Sequence, residues 1–187
     1  IRLDPTRLEH HNMLGWAYHE IGEINRSKEQ FIKVLAIDSN NPEALKGMGW
    51  ALEHEDNFDK ALEYFRKSAE ILPTYQSYEG LAAAYYGKGE YKKAIEYAFK
   101  EREILFDKGF LSKSANSDSI LGWAYYRSND LDNSLKHFRD SLKTRPNLKS
   151  TLGLVSALYK QGKNEEALNV LKSVKGQDLN KIEYHHL

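Results

Sequence analysis

The chain has no cysteine, four prolines and two methionines in 187 residues, and its charges cancel. Each shortage removes a class of protein. Without thiols there is neither a disulfide framework nor a thiolate metal centre, whichever of cytoplasm or periplasm the chain occupies. With 27 basic side chains against 27 acidic ones, no electrostatic footprint calls for nucleic acid or an anionic membrane. No apolar run approaches the roughly 20 residues that cross a bilayer, and the opening residues do not have a signal peptide's layout. Catalytic and metal motifs are missing as well. His10-His11 and His185-His186 are adjacent, so on a helix their side chains diverge by about 100° and cannot share one ion. No segment has the H-E-x-x-H spacing. Gly87-Lys88-Gly89 lacks the rest of a phosphate loop, and Gly47-Met48-Gly49 falls inside a predicted helix rather than after a strand. The composition points to no enzyme and no cofactor.

What is present is repetition. Leu14-Gly15-Trp16-Ala17-Tyr18, Met48-Gly49-Trp50-Ala51-Leu52 and Leu121-Gly122-Trp123-Ala124-Tyr125 are copies of one signature, with weaker copies at Leu81–Tyr85 and Leu154–Leu158. Successive copies are 34, 33, 40 and 33 residues apart. A period of that length indicates stacked supersecondary units rather than one globular core. With the signature glycine at the eighth place, the repeats run 8–41, 42–74, 75–108, 115–147 and 148–181. Residues 1–7 read as the end of a preceding truncated repeat, 109–114 as a six-residue insertion, and 182–187 as a tail or the start of a capping helix.

Each repeat reads as two amphipathic helices, A and B, from apolar residues at three- and four-residue spacing. The turn between them holds Gly22, Asp56, Gly89, Asn129 and Gly162, residue types that tolerate the left-handed backbone closing a helix. Pro5, Pro73 and Pro146 fall where helix B stops, and Pro42 opens the second helix A; none breaks a helix interior. The tenth place is always alanine (Ala17, Ala51, Ala84, Ala124, Ala157) and the twentieth always small (Ser27, Ala61, Ala94, Ser134, Ala167), so A and B are expected to approach closely. Phe31, Phe65 and Phe138, with Leu171, are expected to fill the space to the next repeat. The third helix B is expected to run long, Phe110 and Leu111 to tuck against the array, Gly176 to stop the last helix, and Asp178 to cap a short one.

These features resemble the tetratricopeptide repeat family over nearly the whole chain. The departures are at the fourth place, where the family's tryptophan is replaced by His11, Leu45, Tyr78, Asp118 and Thr151, and at Ala98 and Glu101 in the third repeat. The resemblance implies an all-α, right-handed superhelical solenoid of antiparallel helix pairs, with the A helices lining a concave groove. In that fold the ninth and twelfth places face the groove. They hold Trp16, Trp50, Ala83 and Trp123, and His19, Glu53, Tyr86, Tyr126 and Tyr159.

The implied function is non-catalytic binding of a protein, either a peptide or a partner helix, on these aromatic residues, since tryptophan and tyrosine are favoured at binding hot spots. The competing reading of the indoles is packing between repeats. Glu9, Glu20, Glu43, Glu53 and Glu79 make the early groove acidic, whereas Arg127, Lys149 and Lys160 make the late one basic. The family's carboxylate clamp for chaperone tails is absent in every frame. Carbohydrate stacking and an architectural role with end-to-end self-association are the alternatives; insertion into a membrane is not expected.

Overall fold

The computed structural model describes residues 5–107 and 114–175. Among them are ten helices and no strand. Two compact units divide the chain after Glu90. The first contains α1 (Pro5–Glu20), α2 (Ile24–Ile37), α3 (Pro42–His54), α4 (Phe58–Ile71) and α5 (Tyr75–Gly87). The second contains α6 (Tyr91–Asp107), α7 (Ala115–Arg127), α8 (Leu131–Thr144), α9 (Leu148–Lys160) and α10 (Asn164–Lys175).

In the first unit α1 packs on α2 and α3 on α4, and each B helix then packs on the A helix that follows. The A helices also touch in sequence, α1 on α3 and α3 on α5. The second unit repeats the scheme with α7 on α8, α9 on α10, and α7 on α9. Odd-numbered helices in the first unit and α7 and α9 in the second are therefore the A helices of the sequence reading. The long third helix B is α6, of 17 residues. At the start, Pro5 is the first residue of α1, so Pro5 to Arg7 belong to the first helix A, while residues 1–4 lie outside the described residues. The expected contacts of Phe110 and Leu111, the stop at Gly176, the cap at Asp178 and the 182–187 tail lie outside the described residues.

Local chemistry sets the boundaries. Asn41, Thr74, Ser114, Asp130 and Asn147 each accept the backbone N–H three residues on from their side chains, satisfying one of the free donors at a helix start. At the A-to-B turns Gly22, Asp56, Gly89, Asn129 and Gly162 all have φ between 56° and 80°. The N–H of the following residue reaches back to a carbonyl five residues earlier, as in Glu23 to Tyr18 and Asp130 to Tyr125, both at 2.9 Å. That closure joins each helix pair in a fixed orientation.

Packing between hairpins is organised around one phenyl ring. Phe31, Phe65 and Phe138 are all 0% exposed, and each lies between two glycines. One glycine comes from helix A of the same repeat and one from helix A of the next. A Cβ built on Gly15 would stand 2.7 Å from Phe31, and one on Gly47 only 2.2 Å from it. Gly49 and Gly80 enclose Phe65 at 2.6 and 2.3 Å, and Gly122 and Gly153 enclose Phe138 at 2.6 and 2.2 Å. The third repeat inverts the sizes. Ala98 stands in the ring's place and Ile120 in place of the next glycine, and both are buried. Two buried serine pairs reinforce the joints. Ser68 Oγ lies 3.3 Å from Ser77 Oγ and donates to the Pro42 carbonyl; Ser141 Oγ lies 2.7 Å from Ser150 Oγ and donates to the Ala115 carbonyl.

Alanine is the better helix former by about 1 kcal/mol, yet Gly47→Ala should destabilise the protein by about 1–3 kcal/mol, because the added methyl overlaps the Phe31 ring. Urea denaturation measures this. Phe31→Leu in the same chain should recover part of the loss, and additive effects would show that the methyl and the ring do not compete.

Candidate functional site

The predicted groove residues fall on the A helices of both units, and the phenyl joint explains how the indoles are held. Each tryptophan follows the signature glycine by one residue, so its ring leaves the helix beside the buried phenyl. Trp16 meets Phe31 edge-on at 5.5 Å, Trp50 meets Phe65 at 5.3 Å and Trp123 meets Phe138 at 5.3 Å. All three indoles remain half-buried. The rings thus pack and stay accessible at once.

In the first unit Trp16 is the centre of a polar set. Its Nε1–H donates to Glu43 Oε1 at 2.8 Å, and the other carboxylate oxygen of Glu43 accepts from Lys46 Nζ at 2.9 Å. The ammonium group lies 5.7 Å from the centre of the indole. Lys46 is buried apart from this contact, while the Glu43 side chain is 46% exposed. His19 stands edge-on to Trp16 at 5.6 Å, and its ring lies 6.5 Å from that of His54 on α3. Glu53, Trp50 and Tyr86 are each half-buried on α3 and α5.

In the second unit Trp123 stands edge-on to Tyr126 at 5.7 Å, and Lys160 lies 4.8 Å over the Tyr126 ring, within cation–π range. Tyr159 is 72% exposed. The Trp123 Nε1–H is buried and has no acceptor among the described residues, in contrast with the bonded N–H of Trp16. Structure therefore joins Trp16 to His19 within the first unit and Trp123 to Tyr126 within the second.

Sequence reasoning missed a second polar cluster, in the second unit. Asp118 is 0% exposed and occupies the place of the family's tryptophan. Its Oδ1 pairs with His137 Nδ1 at 2.8 Å and accepts from Arg102 Nη1 at 3.3 Å. Tyr125 stacks on the His137 ring at 5.5 Å and 7°. Burial is the larger cause, and the Asp130 carboxylate the lesser one, pushing the Tyr125 hydroxyl pKa above its ordinary value. The first repeat has a counterpart in His11 Nδ1 and Gln30 Oε1, 2.9 Å apart. Both pairs are separated by 19 residues. The available signal was polarity at the fourth and twenty-third places of the same repeat, where the second repeat has Leu45 and Tyr64. Among the described residues no cluster of three metal-ligating side chains occurs, and no helix is long and apolar enough to cross a membrane.

Comparison with known proteins agrees with the helical-repeat fold. Tetratricopeptide repeat models match residues 9–41, 42–75 and 121–178. The "Protein CTR9 homolog" of Arabidopsis thaliana is 28% identical over 69% of the chain and 12% of its own length. A TPR repeat-containing protein of Methanocaldococcus jannaschii is 23% identical over 86% of the chain and 29% of its own length. The chain thus spans less than a third of these relatives. A thermophilic TPR protein of Thermus thermophilus is similar in structure, with a TM-score of 0.76 at 17% identity over 93% of both chains. MamA gives 0.70 at 18% over 98% of both. These likenesses support an all-α helical-repeat solenoid.

The buried cluster generates a stability prediction. Asp118→Leu alone leaves His137 and Arg102 without their carboxylate and should cost about 3–5 kcal/mol. Adding His137→Tyr installs the pair found in the second repeat and should return the protein to within about 1–2 kcal/mol of the parent. Chemical denaturation of the two variants checks this; equal losses would show that Asp118 and His137 are not the coupled unit.

Proposed function

The chain belongs to the tetratricopeptide repeat family, whose repeats generally serve as non-catalytic scaffolds for protein–protein interaction, and on that premise we propose that its A-helix aromatic residues bind a peptide or helix of a partner protein. The observation carrying this reading is the state of the indoles. One edge of each is fixed against a buried phenyl ring while part of the ring stays open to solvent. A ring already held in one rotamer loses little entropy when a partner covers it, which is what a hot-spot side chain needs.

The charges beside the aromatics refine the ligand. In the first unit exposed Glu9 and Glu20 and the open edge of Glu43 adjoin Trp16 along α1 and α3, so basic ligand residues are favoured there. In the second unit exposed Lys149 and Lys160 lie on α9 with Tyr159, and acidic residues are favoured. The two indole N–H groups differ in the same way. That of Trp16 is satisfied inside the protein, leaving its ring to make apolar and cation–π contact. That of Trp123 is buried with no acceptor among the described residues, so its ring too is left to apolar contact.

Immobilised peptides of mixed charge, probed with the whole chain, provide the test. Trp50→Ala or Trp123→Ala should weaken the bound peptides by about 30-fold, corresponding to roughly 2 kcal/mol for a hot-spot tryptophan. Far-UV circular dichroism should retain its helical signal in both variants. Undiminished binding by the triple-tryptophan variant would overturn the proposal. Fluorescence changes with oligosaccharides but with no peptide would replace it with a sugar-stacking role.

A further inference from the structure

The three tryptophans stand in one structural register, and their surroundings differ most in charge. Trp16 meets Phe31 edge-on and Gly47 abuts the same ring; Trp50 meets Phe65 edge-on and Gly80 abuts that one. Both glycines hold the sixth place of the next helix A. The residue before each, at the fifth place, therefore has the same relation to its indole: Lys46 for Trp16 and Glu79 for Trp50. The second place supplies Glu43 and Gln76 in the same order, and the twelfth place of the tryptophan's own helix supplies His19 and Glu53. At Trp123, whose phenyl partner is abutted by Gly153, the fifth, second and twelfth places are Leu152, Lys149 and Tyr126.

Trp16 shows what a cation does in this register. Lys46 is only 6% exposed, a burial that an ammonium group tolerates only when paired. It lies 5.7 Å from the centre of the indole and donates to Glu43 Oε2 at 2.9 Å, while the other oxygen of Glu43 accepts the indole N–H. Cation–π attraction and a charge-assisted hydrogen bond thus hold the same ammonium. At Trp50 the place of that lysine goes to a carboxylate. Glu53, Glu79 and the Trp50 indole are all half-buried on α3 and α5 of the first unit. The three places around Trp50 hold two carboxylates and no lysine or arginine, whereas those around Trp123 hold a lysine and no carboxylate.

We propose that Trp50, Glu53 and Glu79 form the subsite for a lysine or arginine side chain of the partner peptide, held on the indole as Lys46 is held on Trp16. This rests on the aromatic-groove reading above and adds to it the class of ligand residue and its position. Charge selects among the indoles. Trp16 already carries a cation on one face, and a cation arriving at Trp123 meets Lys149, so the preference of the first unit for basic residues is concentrated at Trp50.

Two fluorescein-labelled peptides are the probes, one alternating alanine and lysine, the other with norleucine at every lysine, which keeps the side-chain stem and removes the charge. Each is titrated with the whole chain and read by anisotropy, and the readout is the ratio of the two affinities. Saturable binding with the lysine peptide favoured is expected. Trp50→Leu should lower the ratio about three- to fivefold. Glu79→Lys, which installs at Trp50 the residue that Trp16 already has, should lower it about tenfold. Trp16→Leu should alter it less than twofold. Circular dichroism confirms that the variants stay helical. A ratio unmoved by Trp50→Leu or Glu79→Lys, an equal fall with Trp16→Leu, or no saturable binding of the lysine peptide would overturn the proposal. Equal weakening of both peptides by Trp50→Leu would do so while leaving the aromatic groove standing; undiminished binding by the triple-tryptophan variant would remove both readings.

Discussion

One phenyl ring between two glycines is the constraint on which the repeat depends. The ring belongs to helix B, and the glycines belong to the A helices on either side of it in sequence, so a single side chain fixes the spacing of three helices. Built Cβ atoms at 2.2 to 2.7 Å from the ring leave no room for any other residue without movement. Interiors packed at crystal-like density transmit such misfits rather than absorb them. The joint therefore selects its own sequence, and the exchange of sizes at Ala98 and Ile120 follows the same volume rule.

The same joint positions the proposed binding surface. Because tryptophan follows the signature glycine directly, the close approach that forces the glycine also brings the indole edge against the ring. On the proposed reading, packing and recognition follow from one geometry rather than standing as rival descriptions of these residues. What differs between the indoles is their surroundings. Glu43 and Lys46 engage Trp16, whereas Trp123 has an aromatic neighbour in Tyr126 and a buried N–H without an acceptor among the described residues.

Much of this was legible beforehand. The period, the turn residues and the invariant small places gave the helix pairs, because each is a local requirement repeated five times. Gly22, Asp56, Gly89, Asn129 and Gly162 all take the left-handed backbone expected of them. The glycines at the sixth place were harder to see, since Met13 and Ile120 interrupt their row and their reason is a ring in another helix. Asp118 was read only as a departure from a pattern, and His137 was not singled out. Their pairing is a contact across 19 residues, visible once the two polar places are compared within one repeat. The extra turn at the start of α1 was hidden by Pro5, which suits a helix beginning as well as the end of the one before.

The Asp118 cluster has a consequence for the order of the array. The contacts of the phenyl joints are dispersion contacts, which have little directional preference. A carboxylate held by an imidazole from α8 and a guanidinium from α6 is directional: rotation or translation of α7 by a fraction of a turn would strand a buried anion. Asp118 and Arg102 of this bond set lie within the longest interval between signature copies, 40 residues from Leu81 to Leu121. Where the interval between copies departs from the repeat length, this directional set adds an electrostatic index to the phenyl joint in fixing the angular setting of α7.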